Sequence, residues 1–152
     1  YYMSKEIYEE LLISSHRVVR KRLPDIKIII KPHPRENSQF VNDLISHHRL
    51  DNTIISHEHS AVLANNALFT ISFWTSCLFD SLSRKVPAVE YFKEPRFFRE
   101  IEPQGSMYRK LGIDSVDNEP DLLEFVDAVL SNKYTIPKII LNLETANNID
   151  FF

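Results

Sequence analysis

Apolar positions along the chain alternate between helical spacing and short unbroken runs, and this alternation predicts the elements. Up to Pro24, Ile7, Leu11, Leu12, Val18, Val19 and Leu23 recur at the spacing of one helix face, while Lys5, Glu6, Glu9, Glu10, Arg17, Arg20 and Lys21 fill the other. This predicts an amphipathic helix from Tyr2 to Arg22 with a basic last turn, the charge that the carboxyl end of a helix favours. The β-branched run from Ile26 to Ile30, started by Pro24-Asp25 and stopped by Pro32 and Pro34, reads as an inner strand of a parallel sheet, apolar on both faces. A second helix starts at an Asn37 or Ser38 cap and runs to about His48, with Phe40, Val41, Leu44 and Ile45 inward. Thr53 to Ser56 is a short strand, Ser60 caps a helix around Ala61 to Ala64, and Leu68 to Ser72 is a third strand. A helix over Cys77 to Leu82 and a strand over Pro87 to Tyr91 come next. Lys93 to Lys110 reads as a long functional loop. Gly112 to Val116 is a fifth strand or strand end, and Asn118-Glu119-Pro120-Asp121 opens a helix through about Ser131, with proline near its first position. Tyr134 to Phe152 is a tail of mixed character.

Strands that alternate with helices predict a single doubly wound α/β domain over residues 1–152, Rossmann-like, with a mostly parallel sheet. The length of 152 residues supports one real core and leaves no room for a second full domain. A net charge of −3 argues against a general nucleic-acid binder. No apolar run approaches the roughly 20 residues of a membrane helix, and the start lacks a signal-peptide pattern. The single Cys77 excludes an internal disulfide and a cysteine-rich zinc site, which fits a reducing cytoplasm. An opening Tyr1 instead of Met fits a piece of a longer polypeptide. Gly105 and Gly112 are the two glycines and neither joins a strand to a helix, so Walker and dinucleotide loops are excluded. A phosphate would have to be held without a glycine loop.

Two constellations suggest such a hold. His33 stands at the end of the first strand between two prolines that stiffen its support, with Lys31 beside it, where ligands of open α/β sheets bind. The bland reading is that His33 caps a turn and Lys31 is solvated. Thr75-Ser76 lies between the third strand and a helix, where hydroxyls and free N–H groups suit phosphate oxygens, although Ser and Thr are also ordinary N-caps. The His57-Glu58-His59 spacing invites a metal reading, set against residues that merely open a helix. His47 and His48 fit an exposed last turn.

The stretches Ile28-Ile29-Ile30-Lys31-Pro32-His33-Pro34-Arg35-Glu36 and Ile71-Ser72-Phe73-Trp74-Thr75-Ser76-Cys77 through Ala88 resemble the donor-binding, carboxy-terminal half of GT-B glycosyltransferases of bacterial surface polysaccharides. These include sialyl- and polysialyltransferases, capsule Kdo transferases and teichoic-acid glycerophosphotransferases. The resemblance covers roughly residues 5–130. His33-Pro34 matches the HP motif and Thr75-Ser76 the Ser-Ser/Thr motif, with the order of the hydroxyl residues changed. The family has a strand upstream of the first helix and, in its sialyltransferase-type members, an acidic catalytic motif in an amino-terminal domain; neither is within these residues.

The resemblance implies transfer of a sugar from a nucleotide donor, with a CMP-sugar favoured. His33 would contact or protonate the leaving phosphate, Thr75 and Ser76 would hold it, Lys31 would add charge, and Glu90 would accept from ribose hydroxyls. It implies no cofactor and no metal, since no Asp-x-Asp pair is present. The partners implied are a nucleotide sugar and a carbohydrate acceptor brought by an amino-terminal domain, in a cytoplasmic protein compatible with peripheral membrane association. Nucleic acid is not among them. Glu58 and Glu90 are the nearest bases, and neither sits in a recognisable motif. Phe97, Phe98, Phe151 and Phe152, in the long loop and the tail, would pack on the missing domain or within the chain itself. Two other readings stay open: a nucleotide-sugar 2-epimerase on the same phosphate site, and a non-catalytic α/β interaction module.

Overall fold

Helix α1 (Lys5–Arg22) starts where the Ser4 side chain accepts the Ile7 N–H at 3.2 Å and ends in Arg20, Lys21 and Arg22. The computed structural model describes residues 3–93, 103 and 106–137. Beyond α1 the order is β1 (Ile28–Ile30), α2 (Ser38–His47), β2 (Thr53–Ile55), α3 (Ser60–Ala64), β3 (Thr70–Ser72), α4 (Cys77–Ser83) and β4 (Ala88–Tyr91). Then follow α5 (Met107–Lys110), β5 (Ser115–Val116) and α6 (Glu119–Leu130). The chain is α/β, and every strand pairing among the described residues is parallel: β1 with β2, and β3 with β4 with β5.

The strands are shorter than the apolar runs that announce them, and side-chain alternation assigns their faces. Ile28, Ile30 and Ile55 pack beneath α1 and α2 with Leu12, Val41 and Leu44. Ile71, Val89, Tyr91 and Val116 point the same way, under Leu11 and Val18 of α1 and Leu122 and Val126 of α6. On the opposite face of the larger sheet, Ala88 meets Leu78 and Leu82 of α4 and Tyr108 of α5. One long helix therefore covers parts of both sheets. It crosses them from carboxyl ends to amino ends: Tyr8 meets Phe40 and Phe73, which follow β1 and β3, while Arg20 donates to the carbonyls of Ile26 at 2.7 Å and Asp51 at 2.7 Å, which precede β1 and β2.

Three sequence expectations change. The first strand is not buried on both faces: Ile29 is 45% exposed and its registered neighbour Ile54 is 46% exposed, because no described helix lies over that side of β1 and β2. Arg20 is a hub for the turns entering two strands and not part of a solvated face. The end of the expected long loop, Met107–Lys110, is helical and capped by Ser106. Most of that loop and most of the tail, with Phe97, Phe98, Phe151 and Phe152, lie outside the described residues. No described helix is long and apolar enough to cross a membrane.

α1 and α6 are tied by Arg17 to Glu119 at 2.5 Å and by a two-pronged pair, Arg22 Nε to Asp127 Oδ1 at 2.7 Å and Nη2 to Oδ2 at 3.2 Å. The hydrogen bond from Arg22 holds the Asp127 carboxyl below its ordinary range. A carboxyl with a lowered folded pKa adds stability above its unfolded pKa and loses it as pH falls through the folded value, here below about 3.9. Carboxyl NMR titration should find Asp127 below that value in the native chain and close to it in Arg22→Gln. Equal midpoints in the two proteins would remove the pair from the account of α1 and α6 docking.

Candidate functional site

Helix α2 packs against β1 and β2 on the face that α1 covers, and α4 packs on the opposite face of the larger sheet. Among the described residues the strands form two separate parallel sheets, and the space beyond the carboxyl ends of such strands is where ligands of open α/β sheets bind. His33 and Thr75 each lie three residues past the end of these strands, Ile30 and Ser72.

His33 is exposed and fixed in a turn. Its carbonyl accepts the Glu36 N–H at 2.8 Å, its own N–H donates to Glu36 Oε2 at 2.8 Å, and its ring Nδ1 accepts the Arg35 N–H at 3.1 Å. A ring that accepts at Nδ1 carries its neutral-state proton on Nε2, so Nε2–H is the group it can present to an acceptor. The bland reading of a turn-capping His33 is thereby realised, and the cap fixes which nitrogen is left to donate. Pro32 is buried beneath, Lys31 is half-buried, and Pro34 is exposed.

After β3 the backbone turns sharply. Trp74 has φ +46°, a left-handed conformation that costs a non-glycine residue roughly 1–2 kcal/mol. Its indole is held against Phe92, with ring centroids 5.0 Å apart. A left-handed turn residue, a position where glycine is usual, is here a packed tryptophan. Thr75 Oγ1 accepts the Cys77 N–H at 3.3 Å, whereas Ser76, at the helix start, makes no side-chain capping bond and is exposed. The two hydroxyls therefore differ: Thr75 helps to begin α4 and Ser76 faces outward. Tyr8 links the loop after β3 to α2, edge-on to Phe73 at 5.7 Å and 6.1 Å from Phe40.

The remaining sequence candidates fall elsewhere. Glu90 is fully buried; its Oε1 accepts from the Ser115 hydroxyl at 2.8 Å and from the Ser106 hydroxyl, so it joins β4, β5 and the start of α5 and presents no oxygen to a ribose. This corrects its assignment to an open strand end. His57 and His59 part ways: His57 Nε2 lies 3.3 Å from Ser38 Oγ, and His59 Nδ1 accepts the Ala61 N–H at 3.2 Å as the cap of α3. Ser60, expected to be that cap, instead donates to Asp80 and ties α3 to α4. Among the described residues no three His, Cys, Asp or Glu side chains gather to hold a metal ion.

A cleft of about 450 Å³, lined by none of these candidates, opens between α1 and the loops after β4 and β5. Tyr91 OH lies 2.7 Å from Ser14 Oγ in its wall, and the Lys93–Glu10 and Arg17–Glu119 pairs border it. Burial pushes the Tyr91 phenol up, with the Ser14 bond opposing in part. Nothing in the local sequence announces this cleft, because its walls come from segments far apart in the chain.

The described residues form an α/β chain with parallel strands, with His33 and Thr75-Ser76 in the loops after β1 and β3. Set against family models, curated proteins and solved structures, the chain matches none.

Proposed function

We propose that the chain is the donor-binding half of a GT-B-type glycosyltransferase, a doubly wound domain that takes a nucleotide-activated sugar, with a CMP-sugar favoured, for a surface-polysaccharide acceptor. The observation that carries this reading is the position of His33 and of Thr75-Ser76 just past the carboxyl ends of β1 and β3, two strands of parallel sheets that both pack against α1. The donor phosphate sits between these loops. His33 Nε2–H and the Thr75 and Ser76 hydroxyls donate to its oxygens, and Lys31 offsets its charge. As the bond from the anomeric carbon to the phosphate oxygen breaks, its electron pair stays on phosphate, where prepositioned donors stabilise it. The acceptor hydroxyl bonds to the anomeric carbon and gives its proton to a base supplied from outside this chain. The chain alone binds donor without transferring sugar.

The test is titration with CMP, CDP, UMP and UDP, with and without chelator. Binding is expected at millimolar concentration or below, and chelation should leave it unchanged, since Lys31 and His33 offset phosphate charge and the sequence has no Asp-x-Asp pair. Absence of binding by all four would favour a non-catalytic module. A rise of tenfold or so with magnesium or manganese, about 1.4 kcal/mol, would overturn metal independence.

A further inference from the structure

The cleft between α1 and the loops after β4 and β5 has no part in the donor reading. It opens at the carboxyl ends of these strands, since Tyr91 is the last residue of β4 and Asp117 follows β5 directly. None of its lining residues belongs to the loops after β1 and β3, so it is a separate place on the chain. Its volume, about 450 Å³, lies within the usual range for small-molecule sites, roughly 300–1,000 Å³.

Two hydroxyls are the buried polar groups of its wall, Tyr91 at 1% exposure and Ser14 at 6%. Their oxygens are 2.7 Å apart, so one proton lies between them. Burial raises the Tyr91 phenol, and a serine hydroxyl does not ionise in neutral water, so the pair carries two protons. The bond between them uses one. Neither oxygen has another hydrogen-bond partner among the described residues, and the second proton is left for an acceptor that enters the cleft. A buried donor without an acceptor is costly, which marks the place for a ligand oxygen.

The rim carries charges already balanced against one another. Glu10 and Arg17 come from α1, Lys93 and Glu119 from the facing segments, and they pair across the cleft: Lys93 with Glu10, and Arg17 with Glu119 at 2.5 Å. Each pair has capacity to spare, because a guanidinium has five N–H groups, an ammonium three, and each carboxylate a second oxygen. With Asp117 the lining holds three carboxylates against two cations, so an anion meets an excess of like charge. Any charged ligand would also have to draw one member of a pair from its partner. An uncharged molecule rich in hydroxyls does neither, because each hydroxyl both donates and accepts and can bond to the outer atoms of both pairs while they stay closed. Ile13 offers one aliphatic side chain, enough to lie against C–H groups and too little to hold an apolar ligand.

We propose that this cleft is a binding site for an uncharged saccharide unit, with the Ser14 and Tyr91 pair donating to a sugar oxygen and the two ion pairs bonded to its hydroxyls.

The experiment is amide NMR titration of the chain with methyl glucoside, N-acetylglucosamine and lactose, and with the charged counterparts glucuronate and glucosamine. The amides of Ser14, Lys93 and Asn118 are expected to move with at least one neutral saccharide at tens of millimolar or below, and to move less with the charged sugars. CMP should leave these amides in place whether or not it binds beside His33, which keeps this site and the donor reading apart. Ser14→Ala combined with Tyr91→Phe removes both partners of the buried bond together, a change that costs the fold little, while saccharide affinity should fall about fivefold or more. Urea unfolding checks the fold. Arg17→Gln, at an exposed position, serves if the double variant unfolds, and should weaken binding about threefold or more. No movement with any of the three neutral saccharides, tighter binding of glucuronate or glucosamine than of methyl glucoside, or saccharide affinity unchanged in the folded variants would each overturn the proposal.

Discussion

Leu11→Ala lowers the stability of the chain by about 2–5 kcal/mol, the range for emptying a fully buried leucine site. Leu11 has no exposure and packs in one cluster with Val18, Val89, Tyr91, Leu122 and Val126. Removing its branched end leaves a void between α1, the larger sheet and α6, and each of these is held in place by other contacts that limit collapse into it. Against a total of roughly 5–15 kcal/mol for a native domain, the loss is large. Thermal or urea unfolding measures it, with Val62→Ala as the control, since Val62 is 50% exposed and its truncation should stay within about 0.5 kcal/mol. If the two variants unfold together, α1 is not the bracket between the sheets.

Replacing Thr75 and Ser76 together by Ala weakens binding of a nucleoside mono- or diphosphate by roughly 1–3 kcal/mol, about 5- to 150-fold, if both donate to a charged oxygen. The single variants separate binding from folding. Ser76 makes no capping bond, so Ser76→Ala should reduce affinity at unchanged stability. Thr75 accepts the Cys77 N–H, so Thr75→Ala should also loosen the start of α4 and lower the unfolding midpoint. His33→Ala should weaken binding of the phosphate-bearing ligand more than that of the bare nucleoside, because the ring faces solvent from a turn and its free Nε2–H is suited to an anion. Calorimetric titration with CMP and with cytidine makes the comparison. Equal losses for both ligands would remove the phosphate contact from the proposed function.

Local sequence determines much of this chain. The spacing of Leu11, Leu12, Val18 and Val19 announces α1, and Asn37 and Asn118 accept from Gln39 and Asp121 N–H as helix caps, which needs only residues close in sequence. The parallel α/β class follows from the alternation of elements. The turn prolines also place His33 beyond its strand, because proline fixes backbone angles without help from distant contacts.

Tertiary structure alone decides the rest. A run such as Ile28-Ile29-Ile30 says that its side chains suit a core, but which of them meets a helix depends on where α1 and α2 lie, and Ile29 meets none of those described. Glu90 reads as polar at a strand end; only the approach of Ser106 and Ser115 turns it into an internal hydrogen-bond acceptor. The helical pattern assigns Arg20 to solvent, yet its guanidinium reaches carbonyls as far along the chain as Asp51. The left-handed Trp74 has no local signature either, because its backbone is held there by packing on Phe92. Periodicity and caps are local, with free energies set by neighbouring residues, whereas burial, edge pairing and the polar partners of a side chain are set by segments that meet only on folding.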